Sequence, residues 1–93
     1  MDAAAIAARR EHCRHVVLAK LYERDRLPPM PAQGVADALS RTHQLTVEEV
    51  ESALMRLEAL GFVESTKDPF GPTLYWKISE AGQAFYENPA NLR

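Results

Sequence analysis

Cysteine is nearly absent from this sequence, which has a single one, Cys13, among its 93 residues. A lone cysteine can form neither an internal disulfide nor a cysteine-type zinc site. Two interpretations of Cys13 are open. Its neighbours Arg10, His12 and Arg14 would lower the pKa of the thiol and make it reactive. Free cysteines are more often buried as small apolar side chains, and this second interpretation is favoured.

Glycine is also scarce, and the motifs that depend on it are missing. Only four glycines are present, and none belongs to a phosphate-cradling loop. The serines lack the sharp turn that presents a catalytic nucleophile. His12, His15 and His43 lack the partners and the spacing of a metal site. His12 and His15 could share one face of the first helix, but surface positions are favoured for them. We therefore expect no enzymatic activity, no cofactor and no bound metal.

Long apolar runs are missing as well. No stretch approaches the ~20 residues that a membrane-spanning helix needs. Arg9 and Arg10 interrupt the alanine-rich start before it could serve as a secretory signal. The sequence thus predicts a cytoplasmic protein that makes no membrane contact. Its length and its 46% hydrophobic fraction favour a single globular domain over residues 1–93.

Neither sign of charge dominates, since the net charge is −2. A value so near zero argues against a non-specific nucleic-acid binder. The charges are unevenly spread, however. Residues 1–26 carry six basic and four acidic side chains, whereas residues 27–93 carry five and nine. If the protein binds a polyanion, its first helix is the favoured contact.

Periodicity and capping residues predict two helices in the first half of the chain. Asp2 can cap a helix over 3–25. Residues 1–11, which include the start of this helix, would form an N-terminal helical extension. A proline-rich connector ends this helix, because proline lacks an amide hydrogen and restricts the residue before it. A shorter helix is predicted over 32–42, with its apolar residues on one face.

The clearest helix start in the chain is Thr46. Thr46 and Glu49 have the spacing of a capping box, in which each side chain bonds the backbone amide of the other residue. An apolar stripe then continues to residue 60 at helical spacing. Gly61 follows at the position where a left-handed conformation commonly ends a helix. The sequence therefore predicts a third helix over 47–60.

After this helix the pattern changes to that of strands. Residues 62–67 and 73–78 have β-strand composition, and the turn-forming segment 68–72 joins them into a hairpin. Ser79 can cap a last helix that runs to about residue 87. A loose tail is expected over 88–93.

The order of these elements, together with three short runs, resembles the winged helix-turn-helix family. The runs are 35–39, with the pattern Val-Ala-Asp-Ala-Leu, 50–64, with a leucine-rich helix end and a glycine, and 75–82. The resemblance covers about residues 12–87 and includes MarR-like and related bacterial or phage regulators. It implies a mostly helical α+β fold with a three-helix core, a two-stranded β-hairpin wing and a C-terminal helix.

The resemblance also implies a function and a set of contacts. Family members are transcriptional regulators that bind double-stranded DNA, commonly as homodimers, and here the N-terminal helix could supply the dimer contact. The helix after Thr46 would lie in the major groove, and the hairpin would contact phosphate or the minor groove. By position, the candidates for nucleic-acid contact are Arg10, Arg14, Arg41, Thr46, Ser52, Arg56, Lys67 and Lys77.

One feature departs from the family pattern and supports an alternative. The early positions of the third helix carry Glu48, Glu49 and Glu51, and phosphate repels carboxylates. The capping box accounts for Glu49 and the helix dipole for part of the others. The alternative is a protein–protein interaction module or accessory subunit whose partner contacts Glu48, Glu51 and Phe70. Phe70, at the hairpin tip, could insert into a partner or fold back on Trp76 or Tyr75.

Overall fold

The computed structural model describes residues 2–88 and contains four helices and a three-stranded antiparallel sheet. This confirms the mostly helical α+β winged-helix fold. The elements, in chain order, are α1 (Ala3–Glu23), β1 (Met30–Pro31), α2 (Ala32–Leu39), α3 (Val47–Ala59), β2 (Val63–Lys67), β3 (Leu74–Ile78) and α4 (Glu80–Glu87). Apart from Asn88, the tail expected over 88–93 lies outside the described residues.

Helix α1 is the longest element and forms one wall of the core. It begins where predicted, because the Asp2 carboxylate accepts a 2.8 Å hydrogen bond from the Ala5 amide. Its buried residues lie in its C-terminal half: Cys13, Val16, Val17, Leu18 and Leu21. The segment predicted as an extension, 1–11, is continuous with α1 from Ala3, and the side chains of residues 2–11 are exposed. The helix ends at Glu23, in tight turns that precede the prolines.

The helix-turn-helix consists of α2 and α3. Helix α2 buries Val35, Ala36 and Leu39 and ends at Leu39 rather than at 42. The side-chain hydroxyls of Ser40 and Thr42 donate to the carbonyls of Asp37 and Leu39, which competes with helix continuation. Helix α3 buries Val50, Ala53, Leu54 and Leu57. Gly61 follows it with φ of 82°, which confirms the left-handed helix end.

The sheet contains the predicted hairpin and one strand that was not predicted. β2 and β3 pair antiparallel, with Lys67 opposite Leu74 at the end nearest the loop. β1 pairs with the other edge of β3 and places Met30 opposite Trp76. The connector after α1 is therefore fixed to the sheet, and β3 is the central strand.

Helix α4 packs against α1 and against the segment Gly61–Phe62 that follows α3. Ser79 caps it, because its hydroxyl accepts from the Gly82 amide at 3.0 Å and donates to the Gly61 carbonyl at 2.6 Å. Phe85 stacks on Phe62 with ring centroids 4.4 Å apart, and Tyr86 of α4 stacks on Tyr22 of α1 at 4.5 Å. These contacts place the last helix against the body of the domain.

Two general properties bear on function. Within residues 2–88, none of the helices has both the length and the apolar character that crossing a membrane requires. In the same residues, no three side chains of His, Cys, Asp or Glu are grouped as they would be around a metal ion.

Candidate nucleic-acid interface

Helix α3 is packed by one face and presents the other to solvent. Its buried face is the apolar stripe given above, and the opposite side carries Glu48, Glu51, Ser52 and Met55, all exposed. Met55 exposes 65% of its surface. Glu48 is three and four positions from Glu51 and Ser52, and Met55 is four and three positions from them, so the four side chains form one continuous patch along the helix.

The N-terminus of α3 is held by side chains from two helices. Thr46 and Glu49 form the predicted capping box: the Thr46 hydroxyl accepts from the Glu49 amide at 3.1 Å, and the Glu49 carboxylate accepts from the Thr46 amide at 3.0 Å. Arg9 of α1 adds a contact that the sequence did not predict. Its Nε and Nη2 lie 2.8 and 3.2 Å from the two carboxylate oxygens of Glu49.

The same arginine also fixes the segment before α3. Arg9 Nη2 donates to the Gln44 carbonyl at 2.8 Å, so one guanidinium contacts both the loop and the first turn of the helix. Arg9 and the Thr46 amide hold the pKa of Glu49 at about 2, below its ordinary value of 4.5. Glu49 therefore remains a carboxylate, and an arginine compensates its charge.

Cys13 lies beneath this contact and is buried, with 3% of its surface exposed. This confirms the favoured structural interpretation. Its Sγ is 3.7 Å from Glu49 Oε2. Burial and the nearby Glu49 charge raise the pKa of the Cys13 thiol, and these effects outweigh Arg9 and Arg14, which lower it. The reactive-thiolate interpretation is thereby disfavoured.

A groove between α1 and α3 brings together four of the predicted nucleic-acid-binding residues. The groove has a volume of about 1010 Å³ and is lined by Arg10 and Arg14 of α1 and by Glu48, Ser52 and Arg56 of α3. Arg9 and Glu49, which also line this groove, compensate each other. The charges that remain are three guanidinium groups against one carboxylate, so the groove is locally positive.

A second groove, of about 540 Å³, separates α3 from the sheet. Glu51 and Met55 line it on the helix side, and Pro72, Leu74 and Trp76 line it on the hairpin side. The outward face of α3 is thus flanked by a basic groove towards α1 and a largely apolar one towards the wing.

The other candidate residues are distributed around these grooves. Arg41 is exposed in the turn after α2, Lys67 is exposed at the end of β2, and Lys77 is exposed on β3 opposite Glu64. Phe70 does not fold back on Trp76 or Tyr75, because 96% of its surface is exposed. None of these residues lines the groove between α1 and α3.

Sequence reasoning missed two residues of this surface. The contact of Arg9 with Glu49 was not predicted, and Met55 was not considered. The capping-box position of Glu49 was visible in the sequence. Its pairing with a residue 40 positions earlier was not, because that depends on how α1 crosses α3.

The histidines contact aromatic rings. His12 of α1 and His43 of the loop before α3 meet edge to face, with ring centroids 5.3 Å apart. His15 stacks on Tyr86 of α4 at 6.3 Å.

Comparison with known proteins gives structural likeness and no sequence match. No protein-family model matches the chain, and no curated protein matches it. A probable transcriptional regulator from Pseudomonas aeruginosa superposes with a TM-score of 0.67 at 22% identity, over 86% of this chain and 56% of that one. FabT of Streptococcus pneumoniae, solved in complex with DNA, gives 0.62 at 14% identity over 82% and 51%.

A third neighbour is similar in length to this chain. A transcriptional regulator from Clostridium thermocellum superposes with a TM-score of 0.65 at 17% identity, over 99% of this chain and 86% of that one. The chain spans about half the length of the Pseudomonas and Streptococcus proteins. The chain therefore has the winged-helix fold found in these transcriptional regulators.

Proposed function

We propose that this protein is a DNA-binding transcriptional regulator of the winged-helix type, from a bacterium or a phage and acting in the cytoplasm. The observation that carries the proposal is the outward face of α3, exposed between a positive groove and a wing. A helix presented in this way fits the major groove of a duplex, which is wide enough to admit it. The neighbours of the same fold are described as transcriptional regulators, and one was solved on DNA.

The charge balance of this surface is more favourable than the sequence suggested. Arg9 compensates one of the three glutamates in the first turns of α3, which leaves Glu48 and Glu51. Arg10, Arg14 and Arg56 lie along the adjoining groove. Because phosphate contacts supply much of the affinity for DNA, these three guanidinium groups are the proposed phosphate ligands.

The remaining contacts divide by chemistry. Arg41, Lys67 and Lys77 would contact phosphates at the edges of the site, and Ser52 can donate to or accept from a base. Thr46 uses its hydroxyl oxygen as a cap acceptor but can still donate its hydroxyl proton to a phosphate. Met55 offers an apolar contact of the kind that suits a thymine methyl group.

A titration with random-sequence duplex tests this proposal. Fluorescence anisotropy at low and moderate salt should show binding that weakens as salt rises, because released counterions drive it. Substituting Arg10→Gln and Arg14→Gln together should weaken binding and reduce the salt slope by about two. Arg26→Gln, an exposed charge beyond the end of α1, is the matched control. Absence of binding at low salt would contradict the proposal.

The proposed oligomer is a homodimer formed through α1. A single small module makes few phosphate contacts, and a dimer doubles them. Deleting residues 1–8 tests this while keeping Arg9, on which α3 depends. The truncated protein should sediment as a monomer at concentrations at which the full chain is a dimer. An unchanged dimer after truncation would exclude this role for α1.

A second candidate function is a protein–protein interaction module. It is supported by the exposure of Phe70 at the hairpin tip and of Met55, which lies on the same outward face of α3 as Glu48 and Glu51. Substituting Glu48→Lys and Glu51→Lys together separates the two functions. If α3 faces phosphates, the affinity for DNA should rise several-fold. If the protein is an interaction module, its affinity for DNA should not change and its binding to a basic protein partner should be lost. Glu80→Lys, an exposed acid at the start of α4, controls for net charge.

A further inference from the structure

Phe70 is the most exposed large apolar side chain among the described residues. It exposes 96% of its surface, against 65% for Met55 and 48% or less for the others. Exposing a phenylalanine on this scale forgoes the free energy that its burial would contribute. An aromatic side chain that is exposed in this way, and not packed into the core of its own domain, is suited to contact with another molecule.

The loop that carries Phe70 is ordered by its own hydrogen bonds. Asp68 Oδ1 accepts from the Phe70 amide at 2.9 Å, and the Asp68 amide donates to the Thr73 carbonyl at 2.9 Å. The Gly71 amide donates to the Asp68 carbonyl at 3.3 Å. Pro69 precedes Phe70 and restricts the backbone further. The aromatic ring is therefore presented by a short, constrained turn.

The position and charge of this turn indicate where a partner would lie and which kind of contact the turn can make with it. Pro72, just after the tip, lines the same groove as Glu51 and Met55 of α3, so tip and helix belong to one side of the molecule. The only charged side chain between residues 68 and 73 is the carboxylate of Asp68. The tip thus has no cation for a phosphate, and any contact it makes with a duplex is apolar.

We propose that Phe70 is a wedge that enters the minor groove and unstacks a base step while α3 occupies the adjacent major groove. This inference rests on the proposed function. Insertion of apolar side chains between base pairs is an established way of kinking DNA, and it requires a rigid, uncharged, protruding aromatic or aliphatic group. The constrained turn and the exposed ring meet these requirements. The wedge favours flexible pyrimidine–purine steps, which unstack at the lowest cost.

The test uses a duplex of alternating dT and dA in which 2-aminopurine replaces some adenines. The fluorescence of this base rises when it is unstacked. The wild-type protein should bind this duplex, as measured by anisotropy, and binding should raise the 2-aminopurine fluorescence. Phe70→Ala should abolish the rise and weaken binding about five- to tenfold, as expected for loss of one stacked ring. Its salt slope should be unchanged, because no phosphate contact is lost.

Two further variants complete the design. Phe70→Leu keeps an apolar wedge and should retain part of the fluorescence rise. Leu27→Ala removes a side chain that is 47% exposed, in the connector after α1, and should behave as the wild type. Phe70→Ala should have the wild-type urea midpoint, because the ring buries almost no surface.

The outcomes separate the wedge from the function on which it rests. Binding without a fluorescence rise, or an equal rise with Phe70→Ala, overturns the wedge and leaves the DNA-binding function intact. In that case Phe70 would be assigned to a protein contact. Absence of binding by the wild-type protein at low salt overturns both proposals.

Discussion

Replacing Glu49 would show how strongly α1 fixes the N-terminus of helix α3. Two substitutions separate its roles. Glutamine can still accept the hydrogen bond from the Thr46 amide, as in a capping box, but it carries no charge for Arg9. Alanine removes both contacts. The difference between Glu49→Gln and Glu49→Ala therefore measures the cap, and the loss in Glu49→Gln measures the ion pair.

The size of the effect follows from the pKa and the exposure of the pair. The pKa of Glu49 is lowered from 4.5 to about 2, first by Arg9 and second by the Thr46 amide, and the whole shift corresponds to roughly 3 kcal/mol of folding free energy. The side chains of Arg9 and Glu49 are 45% and 30% exposed, so solvent screening reduces this contribution to about 1 kcal/mol. Glu49→Gln should lower the melting temperature by about 4–8 °C. Glu49→Ala should lose about 1 kcal/mol more through the cap.

The effect should depend on pH in a defined direction. Because the pKa of Glu49 is lower in the folded protein, its contribution is complete above about pH 4.5 and is lost as the pH falls through about 2. Protonated glutamate resembles glutamine. The stability difference between wild type and Glu49→Gln should therefore shrink to about half or less near pH 3.

Urea denaturation followed by tryptophan fluorescence is a suitable assay, because Trp76 is the single tryptophan and is buried. Glu48→Gln, one residue earlier on the same exposed turn, makes the same change of charge and should shift stability by less than about 0.5 kcal/mol. Equal destabilisation by Glu48→Gln and Glu49→Gln, or a Glu49→Gln effect that stays constant from pH 7 to pH 3, would refute the reasoning.

Two further predictions concern buried positions. Alanine normally stabilises a helix relative to glycine, but Gly82→Ala should cost about 2–3 kcal/mol in urea denaturation, because a Cβ there would overlap the Phe62 carbonyl. Gly34→Ala is the matched control. The nearest atom to its Cβ would be the flexible end of Met30, at 3.2 Å, and Pro31 Cδ at 3.5 Å would be in ordinary contact, so the variant should be as stable as the wild type or more so. Cys13, buried and with a raised pKa, should react with a thiol reagent far more slowly in the native protein than in urea; equal rates would contradict its burial.

Most local features of this fold could be predicted because they depend on residues close in sequence. The capping box of Thr46 and Glu49, the glycine at 61 and the hairpin about residues 68–72 each follow from interactions within a few positions. The strand β1 could not be predicted in the same way. It has two residues, one of which is a proline, and it exists only because β3 offers an edge to pair with.

In the candidate site, too, the features that depend on residues close in sequence could be predicted and those that depend on tertiary packing could not. The identities of the exposed residues on α3 followed from helical periodicity, whereas the groove between α1 and α3 did not. Arg10 and Arg14 meet Ser52 and Arg56 because two helices cross at one angle, and no sequence pattern specifies that angle. The exposure of Phe70 was left open for a similar reason, since the choice between tip and core depends on where the loop projects.

The short strand β1 limits how far the chain can be shortened from its N-terminus. By pairing with β3 it covers a strand edge that would otherwise present unpaired amide and carbonyl groups. Pro31 lies in this strand and has no amide hydrogen, so the outer side of β1 is itself a poor template for another strand. A fragment beginning at residue 32 would retain the sequence of the helix-turn-helix and the hairpin, but the unpaired edge of β3 would be exposed to solvent. We expect such a fragment to self-associate, so the minimal monomeric unit includes β1 and does not begin at the helix-turn-helix.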